Sequence, residues 1–498
     1  MNVNPITRLD YPDLDVIRVE DTYYMVSTTM HFMPGCEILQ SFDLVHWEHA
    51  TYVYETLDHT DAQQLKSGQN IYGQGMWAAS LRYHEGRFYI CFVANDTRKT
   101  YLYTSEKIDG PWKKQLIEGF YHDGSLLFDE DGRNYIVYGN DEIWITELNE
   151  DLTAPKKDGL HRLLVSDHKN PELGYEGSHI QKINGYYYIF LIHSLRDRWM
   201  RTEACFYSDS LEGEFTGGDV LCDDRGYCGQ GVAQGGIVDT PDGKWYAMLF
   251  QDSGAVGRLP ILLPVTWKDH FPVFGQNGHV PEEIEVHSTR PGYIYQPLVG
   301  SDDFCNGLLP RWQFNHDPDP QYYHLDALQG TYTITTREVC TELTQAVNTL
   351  TQRMSYPSCA AEVTVDASAL KEGDVAGLCA FQGCYAAVGI TKHHGKYEVL
   401  MLDKKEDGIL DMTEGTVVES HQMDFRLEAD FCNMKDEARC YYRVNKGDWL
   451  PIGTVHKLYF KLDHFTGCRF GLFCYAAEET GGSACFRDFK YYDVDEIS

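Results

Sequence analysis

The sequence predicts an all-β protein: a five-bladed β-propeller over residues 1–290, a linker at 291–300 and a concanavalin-like or jelly-roll β-sandwich over 301–498. Three observations carry that prediction. Helical periodicity is scarce along the 498 residues, one aromatic strand pattern recurs five times, and the repeat stops near residues 286–300. Each repeat is a Gly or Asp turn followed by alternating aromatic and branched side chains: DTYYMVS at 21–27, GRFYICF at 86–92, GRNYIVY at 132–138, GYYYIFL at 185–191 and GKWYAML at 243–249. Turn residues ahead of such a run are a hairpin signal. The aligned tyrosines are Tyr24, Tyr89, Tyr135, Tyr188 and Tyr246, and a second strand-like run precedes each of them (LDVIRV, ASLRYH, GSLLFDE, GSHIQKI, GGIVDT). Five copies at periods of 46 to 65 residues mark a propeller, whose blades bury their faces only against neighbouring blades.

The connector reads VHSTRPGYIYQPLVG. Beyond it, short alternating runs such as TYTITT, AAEVTVDA, KYEVLMLD and GLFCYAA are separated by Gly, Asp and Asn turns, the pattern of a sandwich. Fifteen cysteines are scattered irregularly without a C-x-x-C pair, and most sit inside apolar runs. Such thiols read as small buried hydrophobes in a reducing cytosol; only Cys222 and Cys228 are close enough in sequence to suggest a local bridge. The N-terminal stretch has no apolar run of signal-peptide length and no window approaches a membrane span, so a cytoplasmic location is expected. With 42 Lys and Arg against 75 Asp and Glu, the formal charge is −33. A chain this acidic repels phosphate backbones and anionic bilayers, which argues against nucleic-acid and membrane partners.

The repeat also indicates what lies at the propeller axis. Counting back 11 or 12 positions from the aligned tyrosines gives Asp13, Ala78, Asp123, Glu176 and Gln234. Innermost strands line the central channel, so three of five equivalent positions place carboxylic acids around one axis. One acid after Pro12 can be a turn residue, but three in register are costly to bury as scaffolding. Two carboxyl groups across a small pocket suit glycoside hydrolysis: one protonates the leaving oxygen, the other activates water or attacks. Trp77 and Phe32 are candidate sugar-stacking walls. Arg258, a lone cation in AVGRLP, needs a carboxylate or substrate partner if buried.

At these residues the chain resembles glycoside hydrolase family 43, the inverting five-bladed-propeller β-xylosidases and α-L-arabinofuranosidases. The motifs that carry the resemblance are NPITRLDYPDLDVIRVEDTYYM, MHFMPGCEILQSFDLVHWE, GMWAASLRY, YHDGSLLFDEDGRNYIVYG, YEGSHIQKINGYYYIF and GGIVDTPDGKWYAMLFQDSGAVGRLP. The resemblance covers the first 290 residues, and the remainder looks like the sandwich appended to xylosidase-type members. It implies that Asp13 is the general base, Glu176 the general acid and Asp123 the residue that orients Glu176 and tunes its proton affinity. Arg258 then contacts the sugar in the −1 subsite and Trp77 forms its aromatic wall.

Three departures stand out. Leu14 follows Asp13 where the family usually has Pro, and Asp15 stands where Ser is common, making Asp15 a competing base. Gln234 occupies the place where many members carry a His that supports a hydrated calcium, so no metal is obligatory, although a structural Ca2+ near the axis is left open. The segments 315–324 and 377–385 are candidates for the sandwich loop that closes the pocket. The expected activity is exo-hydrolysis of terminal pentoses from oligosaccharides, by a protein that can form homo-oligomers. The rival reading is a non-catalytic carbohydrate-binding propeller, in which the three acids need not all be present.

Overall fold

The computed structural model describes residues 3–461 and 466–493. Five four-stranded antiparallel sheets follow one another along the chain: strands 15–54, 76–117, 125–166, 176–221 and 233–274. Each is a blade whose first strand lies innermost. The aligned tyrosines sit on the second strand of each blade in one register, facing Ile17, Arg82, Leu127, Gln181 and Val238 of the innermost strands. Tyr135, Tyr188 and Tyr246 are buried between blades, where each aromatic ring contributes about 1.5–3 kcal/mol of burial energy.

The ring is closed by the N-terminal segment. Asn4 exchanges side-chain hydrogen bonds with Leu262 O and N at 2.7 and 2.8 Å. Tyr11 N donates to Arg258 O. Residues that precede blade one are thereby bound to the third strand of blade five.

Regular strands of the propeller end at Phe274. The following segment crosses back over blade one: Arg290 pairs with Asp21, Thr289 N donates to Phe42 O, and Tyr293 stacks edge-on against Phe42. The C-terminal sandwich consists of a nine-stranded and a seven-stranded antiparallel sheet with one continuous core between them. The two domains share a sheet, because Phe32 and Met33 pair with Gln313–Asn315 at the edge of the nine-stranded sheet. A buried ion pair, Arg353 with Glu37 at 2.8 Å, crosses the same seam. None of the fifteen cysteines forms a disulfide, Cys222 and Cys228 included, and ten are buried.

Candidate active site

The upper end of the axis is built by a repeated backbone irregularity. Four residues upstream of the tyrosine partners stand Asp13, Ala78, Asp123, Gly177 and Gln234. Asp13, Asp123, Gly177 and Gln234 all adopt left-handed conformations, with φ of 51°, 49°, 64° and 61°. For a residue with a Cβ this costs about 1–3 kcal/mol, and Asp tolerates it better than most. The ladders slip at Met76/Ala79, Glu176/His179 and Ala233/Gly236, and bulges of this kind re-aim side chains beside active sites. Glu176 therefore stands one residue ahead of the register expected for it, because the turn in blade four is as short as those in blades one and two. Gly177 holds the equivalent position. A Cβ there would lie 2.7 Å from Gln234 Cγ, so Gly177 lets Gln234 pack directly beside the acid.

The three acids converge. Asp13 Oδ1 receives Arg258 Nη1 at 2.5 Å and Oδ2 receives Thr28 Oγ1 at 2.8 Å. Asp123 Oδ2 accepts the Gly177 backbone N–H at 2.9 Å, which fixes it against the strand carrying Glu176. Glu176 Oε2 accepts Asn140 Nδ2 at 2.7 Å. His122 Nε2 stands 3.5 Å from both Asp123 Oδ2 and Glu176 Oε2, and its ring meets Trp77 edge-on at 5.9 Å.

Charge is contested here. Burial pushes Asp123 up to about 6, with Glu176 and Asp13 adding to the rise and His122 opposing it. Burial also works to raise Glu176. The hydrogen bond and charge of His122, helped by Arg201 and Arg258, outweigh it and hold Glu176 below its ordinary value. Against the burial of its own ring, His122 is carried up to about 9 by Asp123, Glu176 and Asp13. His122, Asp123 and Glu176 offer ligand atoms within 4.8 Å of one another. That spacing can hold a cation, and the imidazolium is itself a cation between the two carboxylates.

Arg258 is 3% exposed. Its Nε meets Asp252 at 3.2 Å and its guanidinium lies over Phe250. Asp252 also pairs with Arg201 at 3.0 Å, giving the pocket a second buried cation. Asp10 accepts the Arg258 backbone N–H and that of Gly467 from the sandwich. Phe460 of the sandwich lies 5.9 Å from the Arg258 guanidinium. Phe460 lies in neither expected segment. Of those, residue His316 packs against His31 and Tyr72, and Gln382 bonds Ala255 O, so both buttress the seam beside the pocket.

Two other expectations are corrected. Phe32 has no exposed face: it is fully buried, packs with Leu343, Tyr385 and Phe473 of the sandwich, and is covered by the Arg469 guanidinium at 3.6 Å. It belongs to the seam rather than to the sugar pocket. Asp15 is no rival base, because it lies a layer deeper between Arg82 and His179 at 2.7 and 3.1 Å. Gln234 is 3% exposed and anchored by its backbone N–H to Glu203 at 2.7 Å. Sequence reasoning passed over His122, Asn140, Arg201, Asp252 and Thr28. His122 alone carried a local signal, as the residue adjoining an axis acid.

Comparison with known proteins agrees with this architecture. Residues 3–272 match the model of glycosyl hydrolases family 43, and residues 301–492 match the β-xylosidase C-terminal concanavalin A-like domain. A solved bifunctional GH43-CE protein of Bacteroides eggerthii superposes with a TM-score of 0.92 at 42% identity over 99% of this chain; the chain spans 64% of that protein's length. A GH43 hydrolase engineered to display both endo-xylanase and exo-arabinofuranosidase activity superposes with a TM-score of 0.86 at 27% identity, covering 99% of each chain. A β-xylosidase of Formosa agariphila is 26% identical over 99% of this chain and 89% of its own. With the family model matching more than half of its residues, a propeller carrying three axial acids and a concanavalin-like partner domain, the chain belongs to glycosyl hydrolases family 43.

Proposed function

We propose that this glycoside hydrolase removes single pentoses from the non-reducing ends of oligosaccharides with inversion. Xylose from short β-1,4-xylo-oligosaccharides is the first choice and α-L-arabinofuranose the second. One observation carries the reading: acids of opposite roles are held by different partners at one end of the axis. Asp13 is gripped by Arg258 and Thr28 and serves as the base that takes a proton from water. Among the described residues, the hydrogen bonds to Glu176 all reach Oε2, which leaves Oε1 to carry a proton to the glycosidic oxygen. Asp123 holds Gly177 and with it the direction of Glu176. The proton is kept in the free site by His122 and passes to Glu176 as the substrate fills the pocket. In an inverting hydrolase such an acid and base flank the scissile bond with room for one water.

Trp77 supplies an aromatic wall and Arg258 a donor for sugar hydroxyls. Phe460 brings the sandwich to one side of the pocket, which suits an exo-acting site. The names of the relatives support both pentoses. Buried cysteines without disulfides suit a reducing compartment, where the substrates are imported oligosaccharides.

The test is hydrolysis of nitrophenyl β-D-xyloside and nitrophenyl α-L-arabinofuranoside by the wild type and by Glu176→Ala, with product anomers followed by NMR. Expected are turnover of the xyloside with α-xylose as the first product and loss of turnover in the variant. Unchanged turnover in Glu176→Ala would remove the acid assignment; cleavage of the arabinoside alone would reverse the substrate order.

A further inference from the structure

Beneath the acids the axis continues through two more layers of the same five strands. Two residues along stand Asp15, Ser80, Ser125, His179 and Gly236, and two further Ile17, Arg82, Leu127, Gln181 and Val238. One side chain joins them. A guanidinium has five N–H donors, and all five of Arg82 find acceptors. Nε bonds Leu126 O at 2.8 Å. Nη1 bonds Asp15 Oδ2 at 2.7 Å and Leu81 O at 2.6 Å, and Nη2 bonds Ser125 Oγ at 2.6 Å and Ile180 O at 3.1 Å. Arg82 of blade two therefore ties blades one, three and four together. Its anchors stand two residues from Asp13, two from Asp123 and four from Glu176.

Among the described residues, Gln181 Oε1 is the one side-chain oxygen of these two layers without a hydrogen-bond partner. Asp15 Oδ1 faces His179, and Oδ2 takes both Arg82 and the Leu81 backbone N–H. Calcium requires six to eight oxygen ligands at about 2.3–2.6 Å; here a single side-chain oxygen, Gln181 Oε1, is open, and a second cation would meet the charge of Arg82. Gln234, the residue at the position of the family's calcium-supporting His, packs instead beside Gly177 in the layer above. The residues of these two layers do not fit the calcium that the family resemblance raises.

We propose that Arg82 is the resident cation of this axis, so that neither folding nor turnover needs a metal. The layer is reachable from the side opposite the acids. A cavity of about 410 Å3 opens there, lined by all five inner strands and by Arg82 itself, wide enough to admit a small cation.

The test has two arms, and only its turnover readout rests on the hydrolase reading. In the first, the wild-type protein is purified without added metal and its metal content and melting temperature are measured in EDTA and in Ca2+. Substoichiometric metal and equal melting temperatures are expected; an equimolar divalent ion whose removal lowers the melting temperature overturns the proposal. In the second, Arg82→Ala is expected to lose about 10²-fold in kcat, because the strands carrying the acids are released. Methylguanidinium, but not Ca2+, is expected to restore turnover. Wild-type kcat in the variant, or restoration by Ca2+ or by neither cation, overturns the proposal, since rescue by the missing cation separates it from a mere strand tie. If Arg82→Ala does not fold, the wild-type metal arm decides.

Discussion

The upper and lower layers of the axis carry acids two residues apart on the same strand, yet they behave as different materials. Asp15, below, has donors on both oxygens; burial pushes its carboxyl up, but Arg82 and then His179 bring it down to about 2. Asp123, above, is raised to about 6, while its neighbour Glu176 is lowered and His122 between them is raised to about 9. A buried acid with complete partners has one settled charge state and acts as scaffolding. Acids that contest a proton with one another and with an imidazolium can exchange it with a substrate. Burial alone does not distinguish Asp15 from Asp123 and Glu176; a guanidinium bonded directly to the carboxylate does, and Asp13, bonded to Arg258, shares that feature with Asp15.

The sharpest way to break the comparison is to neutralise one acid from each layer. Glu176→Gln and Asp13→Asn are both expected to lower kcat by about 10²–10⁴-fold. Glu176→Gln changes the melting temperature little, because Asn140 can still donate to the amide oxygen, whereas Asp13→Asn also costs stability by leaving Arg258 short of a partner. Asp15→Asn is expected to act chiefly on stability, costing about 3–5 kcal/mol by leaving Arg82 and His179 under-partnered. The acid stability profile gives the same test without mutation. Asp15 lies at about 2 when folded against about 3.9 when unfolded. Its contribution of about 2.5 kcal/mol is therefore present above pH ~4 and lost as pH falls towards 2. An equal loss of stability in Glu176→Gln and Asp15→Asn, measured by denaturant melts, would erase the distinction between them.

Much of the upper layer was legible in the sequence because its acids ride on a repeat. Tyrosines spaced by hairpin geometry reported where each inner strand begins, and Asp13 and Asp123 followed by counting. Glu176 was reached by a count one residue too long, since the length of the turn between the first two strands of blade four is a local property that the repeat does not encode. The lower layer was hidden for a different reason. Arg82 lies in LRYH, an ordinary strand sequence, and its five acceptors come from four blades that only the closed ring brings together. The roles of Asn140, Arg201 and Asp252 likewise depend on contacts between segments far apart in the chain. Phe32 misled because an aromatic residue next to the pocket in sequence was, in three dimensions, the edge at which the second domain joins its sheet.

A smaller effect tests the contested proton itself. His122 faces Asp123, Glu176 and Asp13, with Arg201 and Arg258 behind them. While His122 remains, the pair it forms with Glu176 retains one proton until pH approaches about 9. His122→Phe leaves that proton to Glu176 alone, and the basic limb of kcat/KM is expected to move to lower pH. A basic limb that stays in place, measured on an activated xyloside across the alkaline range, would remove His122 from the proton's path. It would also leave the upper layer with two working acids and an inert neighbour.

The smallest effect separates two aromatic residues that look alike in sequence. Trp77 precedes an axis position and stands edge-on to His122, so Trp77→Ala is expected to raise KM by about two- to twelvefold, the loss of an aromatic face worth about 0.5–1.5 kcal/mol. Phe32 has both its neighbours and its cation, Arg469, on the side of the sandwich. Phe32→Leu nearly conserves volume and should cost about 1 kcal/mol of stability while leaving KM unchanged. A rise in KM in Phe32→Leu as large as in Trp77→Ala would place the Phe32 ring against the sugar after all. The domain seam would then be part of the pocket wall, and the sandwich would contribute to substrate choice through that shared sheet edge as well as through Phe460.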